Sequence, residues 1–316
     1  MKLTLVVPTY GVEKYIPRFL TSLEINLQAG IEVLIINDGT KDNSAIIAEE
    51  FAARYPGYVR VVNKENGGVS SARNKGLELV RGEYIIFPDP DDYLADDYVG
   101  TILEAIDKYD SPDMIFFDYY EGSEQQGFTI KTVPDFKEGI VSKEIFVREF
   151  IKDKAIKGFL SSKAIKTSCY NGLFFNETTS FAEDYEILTD IALKLEKIVY
   201  IHKPLYYYVM REDSITHTAK LSDLLRFYKL VSDRQNKFAQ AYKDLSICAL
   251  VRTILSILIK FYDGESVNSA YRYERFIKDN FINIVCSKDL RLNEKKQCLL
   301  IYLGMAAFYY KLKHRK

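Results

Sequence analysis

Residues 84–92 read Tyr-Ile-Ile-Phe-Pro-Asp-Pro-Asp-Asp, an apolar strand that runs directly into three carboxylates within four residues. A helical pattern follows from about Ala95. Carboxylates this close repel one another unless a cation neutralises them, and the hard ions Mg²⁺ and Mn²⁺ prefer oxygen ligands. The turn therefore predicts a divalent-metal site. The alternative is a solvated turn whose aspartates cap the next helix.

Short apolar runs and amphipathic helical stretches alternate around this turn, up to about Asp118. The alternation is typical of an α/β fold in which a mostly parallel sheet lies between helices. The loops after the strands would then meet at one edge of the sheet, where open α/β sheets bind their ligands. The predicted strands are Leu3–Val7, Glu32–Ile36, Val59–Asn63, Tyr84–Phe87 and Met114–Phe117, and the predicted helices are Glu13–Gln28, Asp42–Arg54, Ser70–Val80 and Ala95–Tyr109.

The rest of the chain divides into an irregular stretch and a helical one. Before residue 220 the pattern predicts an edge strand, two helices and an aromatic strand, at Phe128–Val133, Ser142–Ile151, Asp184–Leu195 and Pro204–Tyr208. Beyond Leu221 it predicts the helices Ser222–Tyr242, Leu245–Tyr262, Ala270–Val285 and Asn293–Leu312. We therefore expect a domain of residues 1–220, with halves 1–118 and 119–220, and a helical region of residues 221–316.

Composition narrows the class of protein. The chain has 316 residues, enough for one large or two smaller cores, and its 43 Lys+Arg against 44 Asp+Glu argue against a nucleic-acid partner. Four widely spaced cysteines suggest reduced thiols in the cytoplasm. The apolar stretches at Leu3–Val7 and Cys298–Tyr310 are too short for a signal-peptide core and a membrane span, respectively. We expect a cytoplasmic protein that is soluble or peripheral on a membrane.

Two further loops at the expected binding edge carry polar signals. Asp38, in Asn-Asp-Gly-Thr at 37–40, could accept hydrogen bonds from a base or a sugar, or from the amides of its own turn. Residues 66–76 read Asn-Gly-Gly-Val-Ser-Ser-Ala-Arg-Asn-Lys-Gly, a glycine-rich start of a helix. Such a start suits an anion, and a capped surface helix would show the same pattern. The stretch matches neither the phosphate loop nor the dinucleotide fingerprint.

The order of these motifs resembles the nucleotide-sugar domain of the family 2 glycosyltransferases. The series is Val-Pro-Thr-Tyr at 7–10, the loops at 37–40 and 66–76, Gly-Glu-Tyr-Ile at 82–85, and Asp-x-Asp-Asp at 89–92. The resemblance covers residues 1 to about 118, and more weakly Phe-Ala-Glu-Asp at 181–184 and Lys-Pro-Leu-Tyr-Tyr-Tyr at 203–208. It implies the GT-A fold and an inverting, metal-dependent transfer from a nucleotide sugar, most simply a UDP-sugar, to a saccharide hydroxyl. Many relatives act on lipid-linked intermediates of bacterial surface polysaccharides such as capsule.

The resemblance also implies roles for individual residues. Asp38 would face the uracil, Asp91 would be the direct ligand of Mn²⁺ or Mg²⁺ with Asp89 completing the D-x-D pair, and Asp184 would be the general base. His217, in the loop after the tyrosines, would meet the metal or the acceptor. The residues expected to bind the donor or lie beside it are Pro8, Thr9, Tyr10, Asp38, Asn66, Gly67, Arg73, Asp89, Asp92, Glu183 and Arg211.

Several of these assignments have simpler alternatives. An acidic pair such as Glu183-Asp184 at a helix start is also favoured by the helix dipole. His217 could be a surface or capping group, and Val209 and Met210 separate Arg211 from the tyrosines, where the family more often has its arginine. Lys163, upstream of the acidic pair, lies either on the acceptor side or in solvent.

The C-terminal end combines aromatic residues with Lys-Leu-Lys-His-Arg-Lys at 311–316. It could rest on the anionic inner face of the cell membrane, contact another copy in a homo-oligomer, or be a core helix with a solvated tail. Two rival functions remain open. A sugar nucleotidyltransferase should carry a glycine- and arginine-rich loop after its first strand, which Pro8–Val12 does not supply. A non-catalytic nucleotide-sugar-binding subunit would not need both Asp91 and Asp184.

Overall fold

The computed structural model describes residues 1–133, 136–152, 155–179, 181–211, 220–238, 242–261 and 267–305. The chain forms two compact units. The first comprises Met1–Val147 and Ala155–Ser214, and the second comprises Arg148–Lys154 and Ile215–Lys316.

The first unit is built on a ten-stranded mixed sheet. Its strands are β1 (Leu3–Thr9), β2 (Ile31–Asn37), β3 (Val59–Asn63), β4 (Tyr84–Ile86), β5 (Tyr93–Leu94), β6 (Met114–Ser123), β7 (Gly127–Lys131), β8 (Gly139–Val141), β9 (Lys163–Lys166) and β10 (Ile198–Val209). They lie in the order β3-β2-β1-β4-β9-β6-β10-β5, with β7 beside β6 and β8 beside β10. Strands β3-β2-β1-β4 run parallel, as do β6 and β10. Strand β9 lies between the two groups and is antiparallel to both neighbours.

Helices follow the strands of this unit. They are α1 (Ile16–Ile25), α2 (Ser44–Arg54), α3 (Val69–Leu79), α4 (Tyr98–Lys108), α5 (Lys143–Lys152), whose last residues belong to the second unit, and α6 (Glu183–Lys194). Every residue of β1 and β2 is buried, as expected of apolar parallel strands covered on both faces. Leu5 and Val33 from these strands pack in one core with Phe19 and Ile102 from helices.

The predicted α/β class is confirmed, and the predicted strands lie within two residues of the observed ones except that β6 continues to Ser123 and β10 begins already at Ile198. The sequence did not predict β5, β8 or β9. Strand β9 pairs with strands far away in the chain, so no local pattern reveals it. Its position means that the sheet is parallel in its first half and mostly antiparallel beyond β4.

The second unit is helical in its described residues. Its helices are α7 (Leu221–Lys237), α8 (Lys243–Phe261), α9 (Val267–Asp279), α10 (Phe281–Cys286) and α11 (Leu292–Tyr302). The prediction of one helix over Ala270–Val285 is wrong, because the helix is interrupted at Asn280. The side-chain amide of Asn280 donates to the carbonyl oxygen of Phe276 (2.8 Å). The last predicted helix, Asn293–Leu312, ends at Tyr302 in the structure, where Gly304 has a φ of 75°, and residues 306–312 lie outside the described residues. Among the helices described, none combines the length and apolar character needed to cross a membrane.

Candidate functional site

The loop after β4, Phe87–Asp92, is fixed to strand β10; it is called the acid loop below. The hydroxyl of Tyr206 donates to Oδ2 of Asp92 (2.8 Å) and accepts from the backbone N–H of Asp89 (3.0 Å). The N–H of Val209 donates to Oδ1 of Asp92 (2.8 Å). Burial raises the pKa of Asp92 well above its usual range, and the charges of Asp91 and Asp89 add to the shift. Asp92 thus uses both oxygens within the protein, while its expected place beside the donor stays a prediction.

Arg73 joins the acid loop to the start of helix α6. It lies on α3, is only 5% exposed, and donates to Oε1 of Glu183 (2.6 Å) and to Oδ1 of Asp89 (3.3 Å). Its guanidinium lies 5.5 Å from the ring centre of Phe175. A buried charge is costly unless it is paired, and here two carboxylates pair it. Arg73 therefore connects Asp89 to Glu183, and the predicted contact of Arg73 with the base or donor sugar stays a prediction.

Asp184 stands in the first turn of α6, beside this ion-pair network. Ala182, directly before the helix, has φ of 60°, a conformation that residues other than glycine rarely adopt. Burial raises the pKa of Asp184 to about 6, with Glu183 adding to the shift while Arg73 and Lys163 oppose it. A carboxylate that titrates near neutral pH is suited to accept a proton in a reaction.

The acids from the two parts of the chain influence one another. Burial raises the pKa of Asp89 to about 7, Arg73 opposes the shift, and Asp91, Asp184 and Glu183 increase it. The structure therefore brings the acid loop and the acidic pair of α6 into one electrostatic cluster. A cluster of this kind is stabilised by an added cation.

Asp91 is partly exposed and forms an ion pair with the guanidinium of Arg211, two residues beyond the end of β10. The same guanidinium lies 4.5 Å from the ring centre of Tyr15. Among the residues that the structure describes, no three acidic, histidine or cysteine side chains are arranged to hold a metal ion. Two aspartates nevertheless fit Mg²⁺ or Mn²⁺, since such ions are usually held by one or two carboxylates together with substrate phosphates. His217 lies outside the described residues.

Asp38, at the end of β2, holds the glycine-rich loop. Its Oδ1 accepts from Nζ of Lys64 (2.5 Å) and from the N–H of Gly67 (3.0 Å), and its Oδ2 accepts from the N–H of Gly68 (2.7 Å) and Nδ2 of Asn66 (3.2 Å). The side chain is buried. Asp38 therefore satisfies backbone amides, as one of the two alternatives stated. The amides are those of the neighbouring glycine-rich loop, however, and not those of the turn that contains Asp38.

The end of β1 lies beside Asp38. The carbonyl oxygen of Thr9 accepts from the N–H of Asp38 (3.0 Å), and Pro8 and Thr9 are buried in register with the end of β2. Tyr10, which follows them, is 50% exposed. The predicted residues Pro8, Thr9, Tyr10, Asp38, Asn66 and Gly67 are thus brought together at one edge of the sheet.

Two residues that the sequence analysis gave no role are important in this geometry. Lys64 directly follows β3, and Asp38 directly follows the parallel strand β2. The last residues of these strands, Asn63 and Asn37, are register partners, so the ion pair between Lys64 and Asp38 could have been predicted. Tyr206 belongs to the tyrosine run, but its partners lie far away in the chain. Lys163 is only 2% exposed, so the alternative in which it lies in solvent is wrong.

Comparisons with known proteins show the family and the fold of the chain. The family model described as Glycosyl transferase family 2 matches residues 4–162. The chain is 27% identical to glycosyltransferase GlyA of Streptococcus pneumoniae over 95% of its own length and 43% of that relative. It is 28% identical to minor teichoic acid biosynthesis protein GgaB of Bacillus subtilis over 74% of its own length and 26% of that relative. The chain therefore spans less than half the length of these two proteins.

Solved structures share the fold. The structure of S. aureus TarS 1–349 in complex with UDP-GlcNAc matches with a TM-score of 0.70 and 20% identity, over 99% of this chain and 91% of that one. Mannosyltransferase PcManGT from Pyrobaculum calidifontis, in complex with GDP-Man and Mn²⁺, matches with a TM-score of 0.59 and 13% identity, over 100% of this chain and 88% of that one. With half of its residues covered by the family model, the chain belongs to glycosyl transferase family 2 and has the GT-A fold.

Proposed function

We propose that this glycosyltransferase moves a sugar from a nucleoside diphosphate sugar, specifically a UDP-sugar, to a hydroxyl of a saccharide acceptor, with inversion at the anomeric carbon. The observation that carries the proposal is the joining of two acidic motifs by buried Arg73, which bonds to Asp89 of the acid loop and to Glu183, the neighbour of Asp184. The proposed cation site and the proposed proton acceptor therefore lie side by side, as one displacement step requires.

The acceptor side of the reaction needs a base. As the acceptor oxygen forms its bond to the anomeric carbon and the bond from that carbon to the diphosphate breaks, the proton of the acceptor hydroxyl passes to the Asp184 carboxylate. Attack from the face opposite the leaving group inverts the anomeric configuration. We propose Asp184 rather than Glu183 as the base, because Glu183 is hydrogen-bonded to Arg73 (2.6 Å).

The leaving group is a diphosphate, whose charge must be stabilised. Asp91 and Asp89 would hold Mn²⁺ or Mg²⁺, which would neutralise the diphosphate as it leaves. Arg211 supplies a second positive charge at Asp91, and we propose that it contacts the diphosphate. The Mn²⁺ bound to mannosyltransferase PcManGT supports a metal here. The proposed role of His217 at the metal or the acceptor rests on the sequence alone.

The nucleoside would bind at the edge formed by β1, β2 and the glycine-rich loop. Tyr10 is half exposed there and offers a ring on which a base can stack. Asp38 is buried beneath the glycine-rich loop and accepts hydrogen bonds from Asn66 and Gly67. We propose that Asp38 shapes the pocket by positioning this loop, and that Asp38 and the loop together face the uracil. The UDP-GlcNAc bound to TarS supports a UDP-sugar as donor.

The acceptor class follows from the relatives rather than from the geometry. A protein of minor teichoic acid biosynthesis is among them, which supports a lipid-linked surface-polysaccharide intermediate as acceptor and a place at the inner face of the membrane. In the second unit, Ile282, Leu292, Leu299 and Leu303 are exposed, and Lys288, Arg291 and Lys296 occur in the same stretch of the sequence. We propose this end of the chain as the membrane contact; contact with a second copy is the competing use of the same surface.

A donor-binding panel tests the proposal. Thermal unfolding should be measured with UDP-GlcNAc, other UDP-sugars and GDP-mannose, each with and without Mn²⁺. We expect a UDP-sugar to raise the Tm, and to raise it further with Mn²⁺, because binding to the folded state stabilises it. In the matched variant Asp184→Asn, the Tm shift should persist while release of UDP is lost. A protein that no nucleotide sugar stabilises would overturn the proposal.

A further inference from the structure

Arg18, on helix α1, holds the main chain of the acid loop. Its Nη2 donates to the backbone carbonyl oxygen of Asp91 (2.9 Å), and its Nη1 donates to Oε1 of Glu124 (2.6 Å), in the turn between β6 and β7. The guanidinium also lies 4.7 Å from the ring centre of Tyr93, in β5. Arg18 thus contacts the loop at the residue proposed as the direct metal ligand, a contact to which the proposed reaction has so far given no role.

The ring beneath the guanidinium is itself held by two strands. Tyr93 stacks on Tyr207, its register partner in β10, with ring centres 4.3 Å apart, and Tyr207 stacks at the same distance on Tyr120 of β6. A guanidinium is a planar group whose donors diverge in a fixed fork. Two hydrogen bonds and one ring face therefore fix both its position and its orientation.

Helix α1 supports Asp91 in a second way, through its side chain. Tyr15 directly precedes α1, and residues 15 and 18 are three apart, a spacing that places them side by side on a helix. The ring centre of Tyr15 lies 4.5 Å from the guanidinium of Arg211, which is paired with the carboxylate of Asp91. The start of α1 thus meets Asp91 twice, at the carbonyl directly and at the carboxylate through Arg211.

We propose that Arg18 is a positioning residue of the transfer reaction, whose guanidinium holds the Asp91 carbonyl so that the Asp91 carboxylate is aimed at the metal and the donor diphosphate. This role rests on the proposed function, in which Asp91 is a ligand of Mn²⁺ or Mg²⁺. Arg18 itself exchanges no proton. Loss of a group that orients a metal ligand typically weakens metal binding or activity by about 10- to 100-fold. Because Arg18 acts on the main chain of the ligand, we expect the lower end of this range.

Two variants of Arg18 test this role in calorimetric UDP binding with and without Mn²⁺. The ratio of the Kd without Mn²⁺ to the Kd with it is called the Mn²⁺ gain. Arg18→Met keeps an apolar stem against Tyr93 and removes the donors, so its gain should be about tenfold smaller, while its UDP affinity without Mn²⁺ should stay within about twofold. Arg18→Lys keeps the charge, but one ammonium cannot reproduce the fork that spans Asp91 and Glu124, and its gain should be about fivefold smaller.

Two control variants separate the contact with Asp91 from other effects of losing a charge. Glu124→Gln keeps an acceptor for Arg18 and leaves the bond to Asp91 in place. The Glu124 side chain is 62% exposed, and because exposed ion pairs contribute little, the Mn²⁺ gain should stay within about twofold of the wild type. Arg54→Met removes a guanidinium that likewise lies over an aromatic ring, that of Phe51 on α2, and it should leave the gain unchanged.

The outcomes distinguish this role from the proposed function. If the wild type shows a Mn²⁺ gain and Arg18→Met shows the same gain, Arg18 does not position Asp91, while the proposed metal site stands. Equal weakening of UDP binding with and without Mn²⁺ in Arg18→Met would reveal a purely structural role and refute the positioning role as well. A wild type without any gain would refute the proposed metal site and the role of Arg18 with it.

Folding of each variant is checked by urea unfolding. Should Arg18→Met not fold, Arg18→Lys decides. A reduced Mn²⁺ gain in Arg18→Lys beside an intact gain in Glu124→Gln supports the positioning role, and a wild-type gain in Arg18→Lys contradicts it.

Discussion

At the scale of single residues, Asp92 shows how an acidic cluster can serve two purposes. Asp89 and Asp91 of the same loop take part in ion pairs with arginines, whereas Asp92 is buried and hydrogen-bonded to Tyr206 and Val209. Neighbouring carboxylates are therefore divided between the site and its support. The sequence shows the cluster but not this division, because the partners of Asp92 are far away in the chain.

Substitution of Asp92 should affect stability before chemistry. Asp92→Ala leaves the N–H of Val209 and the hydroxyl of Tyr206 without their acceptor, and we expect a loss of about 2–4 kcal/mol in the free energy of unfolding. Asp92→Asn is the matched control, since its amide can accept from Val209 and donate to Tyr206, and it should cost less than half as much. Urea unfolding measures both. Equal stability of the Ala variant and the wild type would contradict the support role.

Other residues mark where sequence reasoning succeeds and where it stops. The resemblance to the family 2 glycosyltransferases implies that Asp184 is the base; the structure places Asp184 in the acidic cluster, and its role as base stays a prediction. Arg73 was expected to help frame the base and the donor sugar, which stays a prediction, and the sequence did not reveal its contacts with Glu183 and Asp89. This contact joins helices α3 and α6, which are far apart in the sequence and meet only in the folded protein. No local pattern in the sequence can therefore reveal it.

At the scale of elements, helix α3 is important because it carries Arg73 while packing closely on strand β1. Gly76 permits this approach, since a Cβ at this position would clash with the side chain of Val6. The sequence predicts α3 through its glycine-rich start and helical pattern. The close packing itself is a tertiary property that the sequence could only suggest.

Gly76→Ala should therefore push α3 away from the sheet. We expect a loss of about 1–3 kcal/mol in unfolding free energy, the usual cost of overpacking a core, and weaker donor binding because Arg73 moves with the helix. Gly100→Ala in α4 is the matched control. Its Cβ would lie 3.7 Å from the nearest heavy atom, Nε2 of Gln28, an ordinary contact. Gly100→Ala should raise the unfolding free energy by about 0.5–1 kcal/mol, because alanine has the higher helix propensity. If Gly100→Ala is destabilised while Gly76→Ala is unaffected, the packing argument is refuted.

At the scale of the whole molecule, the order of motifs along the chain was a better guide than any single motif. The strands β1, β2 and β4 are parallel, so their following loops must share one edge of the sheet. This is why the fold, and the meeting of these loops at one edge of the sheet, could be predicted from residues 1–118. The antiparallel insertion of β9 and the break at Asn280 could not, because both depend on contacts that form only in the folded chain.

The measurement that tests the central claim most directly is calorimetric UDP binding with and without Mn²⁺. The account predicts that Mn²⁺ increases the affinity of the wild type for UDP. In Asp91→Asn this increase should be at least about tenfold smaller, because the substitution removes a charged metal ligand. Asp184→Asn, the control, should keep the gain because Asp184 acts on the acceptor side. If Asp91→Asn shows the same Mn²⁺-dependent affinity as the wild type, the acid loop is not the metal site of the donor and the account is contradicted.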